Sequence, residues 1–253
     1  MSYVAMDERP VDFMLCQYGT SKKSLFRGPK KSIKGRFGVC LGGANTFGCK
    51  IPDPFSCILE RELGYPILNL GAQHAGAGFY IEDDDVSKII ENAQFILVEA
   101  PSVINHSNIF YRVHPRRNDR FVTALKPLYR LFPEVDFVEC HFTKHLVTKM
   151  ITLDAQRSDI VLQSLRDEWV ESLATMRSHW NAKQVIHWFP KVAGDTPQHE
   201  FPISDMIGLE PRMYDQVLQP SDRLFPIQHE AIGQVASQCD HRRIAQVVLD
   251  AIL

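Results

Sequence analysis

Several stretches of this chain gather the residue types that chemistry uses. Leu41-Gly-Gly-Ala-Asn-Thr-Phe-Gly48 is a glycine-rich turn directly after the apolar run Phe37-Gly-Val-Cys-Leu41. The adjacent Gly42 and Gly43 let the chain turn tightly and present N–H donors beside Ala44, Asn45 and Thr46. A second turn runs from Gly71 to Gly78 just after Asn69, a third from Pro101 to Asn108 with Ser102, Asn105 and Ser107, and a fourth from His229 to His241. Between the third turn and Phe121 lie Arg112, His114, Arg116, Arg117, Asn118 and Arg120. Guanidinium forks grip phosphate, sulfate or carboxylate bidentately, so this stretch reads as an anion clamp, with Pro115 giving it shape. The same arginines also read as a solvated loop paired to Asp83, Asp84, Asp85 and Asp119. Glu139, His141 and His145 are close enough in sequence to suggest a metal, but Thr143 reads equally well as a helix N-cap, and no metal is expected. His187, in the apolar run Val185 to Phe189, reads as a core or edge histidine.

The elements that hold these turns follow from periodicity. Phe37–Leu41, Tyr65–Leu70, Phe95–Ala100, Gln184–Phe189 and Arg223–Gln228 read as strands. Helices are expected over 54–64, stopped by Gly64, over 84–93, 121–131, 158–180, 210–218 and 241–252. Strands alternating with helices imply a parallel sheet covered on both faces, an α/β/α three-layer sandwich of about five strands. In such a sheet, ligands bind where the loops converge outside the carboxyl ends of the strands. The chemistry-bearing turns leave those ends. The 105–132 stretch is long for a βα connection and is expected to overhang the site.

Leu41-Gly-Gly-Ala-Asn-Thr-Phe-Gly48 and Glu62-Leu-Gly-Tyr-Pro-Ile-Leu-Asn-Leu-Gly71, with the intervening helix, resemble the first two blocks of the SGNH (GDSL-type) hydrolases. The resemblance extends over roughly residues 36–253. It implies a flavodoxin-like sandwich in which Asn69 and Gly71 form the turn that supplies an oxyanion N–H and Asn105 supplies the side-chain oxyanion donor. Gly42 then falls on the family glycine, Gly43 on the aspartate and Ala44 on the nucleophilic serine. Alanine carries no atom able to attack a carbonyl. His241 matches the family histidine, with Gln238 where an aspartate belongs, and His229 competes for that place. Thr46 is the nearest alternative nucleophile, or else a support for its turn. The stretch His114-Pro-Arg-Arg-Asn-Asp-Arg120 is also similar to the core of an uncharacterised bacterial domain family with no activity attached.

Composition narrows the classes. The 253 residues are 45% hydrophobic with a formal net charge of -2, enough for one large core and without the bulk positive charge that nucleic acid attracts. Residues 1–35, polar and basic towards their end, are expected as an arm before one domain over 36–253. The sequence shows neither a signal-like leader nor an apolar run long enough to span a bilayer, so a cytoplasmic protein without membrane insertion is expected. Six scattered cysteines read as reduced thiols, and no cofactor is expected. Two functional readings remain. The first is hydrolysis or group transfer on an anionic or glycan-linked substrate, with water or an external hydroxyl activated by His241. The second is a catalytically inactive binding module for an anionic saccharide or a partner protein. Oligomeric state is left open.

Overall fold

The structure is a computed structural model that describes residues 11–19, 24–73, 75–81, 83–115, 117–192, 208–229 and 236–253. Its strands in chain order are β1 (Leu15–Cys16), β2 (Phe26–Arg27), β3 (Gly38–Leu41), β4 (Ile67–Asn69), β5 (Phe95–Glu99), β6 (Tyr111–Val113), β7 (Phe121–Ala124), β8 (Gln184–Val192) and β9 (Arg223–His229). The helices are α1 (Ala44–Phe47), α2 (Phe55–Leu63), α3 (Ala77–Ile81), α4 (Asp84–Asn92), α5 (Lys126–Leu131), α6 (Thr143–Leu153), α7 (Ala155–Ser178) and α8 (Gln238–Ile252).

Five strands form one sheet in the order β4-β3-β5-β8-β9, and every neighbouring pair is parallel. Strands β3 and β5 are buried along their whole length because helices cover both faces, which is why they read as unbroken apolar runs. Alternate side chains enter two cores. Val39, Leu41, Ile96 and Val98 pack with Val86, Ile89 and Ile90 of α4 and with Val161, Leu165 and Trp169 of α7. Cys40, Phe95, Leu97, Ile186 and Trp188 pack on the other side with Phe55 and Leu59 of α2 and Ile244 and Val248 of α8. The expected three-layer α/β sandwich is therefore present. From β3 the chain steps outward to β4 and then returns to place β5 on the opposite side of β3, so the strand order reverses between β3 and β5. A crevice at that reversal, outside the carboxyl ends, is where such sheets take ligands.

Some element expectations change. Residues 121–131 are not one helix. Phe121–Ala124 pairs with Tyr111–Val113 as an antiparallel ribbon, and α5 begins only at Lys126, with Pro127 in its first turn. Aromatic and β-branched residues suit a strand, and proline has no N–H to give inside a helix. The 210–218 helix is a 3-10 segment, Pro211–Gln216. Helix α7 starts at Ala155, where the Asp154 carboxylate accepts from Arg157 N at 2.9 Å. Helix α8 starts at Gln238 because Ser237 caps it, its hydroxyl accepting from Asp240 N at 3.2 Å. His241 therefore lies a turn inside the helix. Thr143 occupies the first position of α6 and Phe142 its N-cap. In the 1–35 segment, β1 pairs with β2, and Cys16, Tyr18 and Phe26 join the first core. Among the described residues no helix is long and apolar enough to cross a membrane.

Candidate functional site

The Gly42–Thr46 turn leaves β3 at the reversal, and Glu99 closes the neighbouring β5. Glu99 is the feature that sequence reasoning passed over. Its Oε2 accepts from Gly43 N at 2.9 Å, Thr46 N at 2.9 Å and the Thr46 hydroxyl at 2.6 Å, and its Oε1 accepts from Asn45 Nδ2 at 2.9 Å. Burial lifts its carboxyl above the usual glutamate range, and these donors pull it back. Gly42 has to be glycine because a Cβ there would lie 2.4 Å from the Glu99 Cβ. Tyr80 pins the turn from the other side. Its hydroxyl accepts from Gly42 N at 2.8 Å and lies 2.9 and 3.0 Å from the carbonyls of Gly42 and Leu70. A carboxylate ending an otherwise apolar strand was the available signal for Glu99, but such a charge also reads as an ordinary strand end.

The structure brings most of the expected positions together and shows what each one touches. Ala44 lies half-buried beside Gly43 and Asn45. Thr46 is fully buried with its hydroxyl given to Glu99, which supports the turn. Asn69 Nδ2 donates to the Thr46 carbonyl at 2.7 Å and Asn69 Oδ1 accepts from Gly71 N at 3.0 Å, so that N–H is directed inward. Gly71 itself admits no side chain, since a Cβ would come within 2.4 Å of Phe47 N. Asn105 Oδ1 accepts from the Thr143 hydroxyl at 2.6 Å. His241 is fully buried, its ring stacked on Phe55 with centroids 5.1 Å apart, and its Nδ1 accepts from Phe55 N at 3.0 Å. Gln238 holds the loop before α2, accepting from Asp53 N and donating to the Asp53 carbonyl at 2.6 Å. The His229 side chain lies outside the described residues.

The arginine stretch is a shaped ribbon. Asn118 is buried, its Oδ1 accepts from Gly76 N at 2.7 Å, and its Nδ2 donates to the carbonyls of His114 at 3.0 Å and Pro115 at 3.3 Å. This ties the ribbon to the loop leaving β4, with Asn118 as a support and not itself at the surface. Arg112, Arg117 and Arg120 are exposed. Arg112 Nη1 donates to the Asn108 carbonyl, and Arg117 makes a loose pair with Asp119 at 3.6 Å. His114 is half-buried, its Nδ1 accepting from Arg117 N at 3.2 Å, and Arg116 lies outside the described residues. His141 and His145 are exposed, and no group of three or more His, Cys, Asp or Glu among the described residues is placed to hold a metal.

The chain matches, over residues 1–250, the family described as Domain of unknown function (DUF6473). No curated protein matches it. Among solved structures it is similar to an acetyl xylan esterase from the rumen bacterium Butyrivibrio proteoclasticus, at 10% identity and a TM-score of 0.42, covering 90% of this chain and 65% of that one. It is also similar to a family two carbohydrate esterase from Clostridium thermocellum in complex with cellohexaose, at 9% identity and a TM-score of 0.46, covering 90% of this chain and 66% of that one. A third is an acetyl-xylooligosaccharide esterase from Geobacillus, at 11% identity and a TM-score of 0.46, covering 86% of this chain and 94% of that one. The chain thus spans just under two-thirds of the length of the first two.

Proposed function

From the premise that this chain belongs to the DUF6473 family of domains, we propose that it is a catalytically silent binding module with an SGNH-hydrolase-like fold, working in the cytoplasm and holding an anionic saccharide through the ribbon that carries Arg112, Arg117 and Arg120. One observation carries the reading. The backbone donors that would meet a developing oxyanion are engaged with internal partners: Gly43 N with Glu99 and Gly71 N with Asn69. Catalysis of acyl transfer needs such donors directed at the reacting atom, together with a nucleophile and a base. Ala44 offers no nucleophile, and His241, the residue expected to activate water, is fully buried on α8 against Phe55 of α2.

Arg112, Arg117 and Arg120 are exposed. Their guanidinium groups stand at the surface on a ribbon fixed by Asn118, which is the arrangement that recognises a fixed pattern of sulfate, phosphate or carboxylate groups. Isothermal calorimetry with sulfated and phosphorylated oligosaccharides tests this. Binding is expected for the wild type, weakened at least about tenfold in an Arg117→Ala, Arg120→Ala double variant, which corresponds to about 1.4 kcal/mol. Equal affinity of the two proteins removes the ribbon from the binding surface.

A further inference from the structure

The first four residues of β5 are apolar and buried, and the fifth, Glu99, carries a buried carboxyl to the turn that leaves β3. Donors converge on it from one turn: two backbone N–H groups, one hydroxyl and one side-chain amide, at 2.6 to 2.9 Å. The two N–H groups share Oε2 and the Asn45 amide donates to Oε1, so both oxygens of the partner accept, which suits a carboxylate and not a neutral amide. Asn45 cannot turn its amide around to suit another partner, because its Oδ1 accepts from Ala236 N at 2.8 Å. Cutting Glu99 back to its Cβ would delete a CH2–COO− group, the skeleton of acetate, and leave all of these donors in place.

We propose that the Gly43–Thr46 turn at the carboxyl ends of β3 and β5 is a carboxylate-binding site whose resident ligand is Glu99, so that the wild-type protein closes this site to external carboxylates. The inference goes beyond the arginine ribbon and is independent of it. The site does not rest on α1 as a helix end, because half of its donors are the side chains of Thr46 and Asn45.

Thermal unfolding of the full chain carrying Glu99→Ala, in sodium acetate against sodium chloride at equal ionic strength and about pH 7.5, tests the proposal. The variant is expected to melt about 5–10 °C below the wild type. Acetate should then raise its Tm by several degrees along a saturating curve, as a ligand that binds only the folded state does. Butyrate, two methylenes longer than the group that the substitution deletes, should act no better than chloride, and the wild type should show no acetate-specific gain. A folded variant, checked by near-ultraviolet circular dichroism, that responds identically to acetate and chloride overturns the proposal. Should Glu99→Ala fail to fold, Thr46→Val removes a single donor and takes its place. The Glu99 carboxyl titration, followed by carbon-13 NMR, should then move upward, and an unmoved midpoint overturns the proposal equally.

Discussion

Restoring a serine at position 44 would return a nucleophile to the turn but not the machinery around it. The ring of His241 lies flat against Phe55, its Nδ1 is engaged by a backbone N–H, and the turn amides face Glu99. An Ala44→Ser variant is therefore expected to show no burst with p-nitrophenyl acetate and no adduct with serine-directed phosphonates, read by intact mass. Stoichiometric labelling of the introduced hydroxyl would mean that a base reaches the turn after all. At this scale the sequence was informative wherever backbone geometry restricts residue type: Gly42 and Gly71 announce close approaches that no other residue tolerates. It was silent on partners. Nothing in the order of residues says that Thr46 and Glu99, far apart in the chain, share a hydrogen bond, because that depends on which strand lies beside which.

Elements were legible where burial is uniform. β3 and β5, covered on both faces, leave continuous apolar runs, whereas β7, with two exposed residues, carries no such mark and reads in the sequence as part of a helix. Two side chains hold elements together, and their removal separates two kinds of cost. Asn118→Ala strips the bond to Gly76 N and the bonds to two carbonyls of its own loop, so a loss of about 1–3 kcal/mol is expected in urea unfolding, with a looser ribbon that is cut faster by trypsin. A proteolysis rate equal to wild type would deny Asn118 this anchoring role. Arg177 of α7 makes a bidentate pair with Asp222 just before β9, Nε and Nη2 each at 2.7 Å from the carboxylate, with both side chains buried. Removing one partner leaves the other charge enclosed, so Arg177→Ala should cost about 3–5 kcal/mol, and a loss near that of a surface pair, under about 1 kcal/mol, would contradict the burial.

The molecule as a whole carries buried bases that set its acid limit. Burial holds the imidazoles of His106 and His187 at a pKa of about 4, well below an unfolded histidine. Between about pH 6.5 and that value the unfolded chain binds protons that the folded one refuses, so stability falls as pH drops through this window. Tm is expected to decline from about pH 6.5 downward, less steeply in a His187→Phe variant; identical slopes would show that His187 takes no part. The segment before β3 also belongs to this whole. Arg27, buried at 6% exposure, donates to the carbonyls of Phe47 and Gly48, and to that of Ile51 at 2.7 Å. A recombinant fragment trimmed to residue 36 onward would thus leave those oxygens facing a hole lined by the rest of the protein. The smallest piece worth expressing begins upstream of Leu15, and attempts to crystallise a shorter one should be expected to yield aggregate.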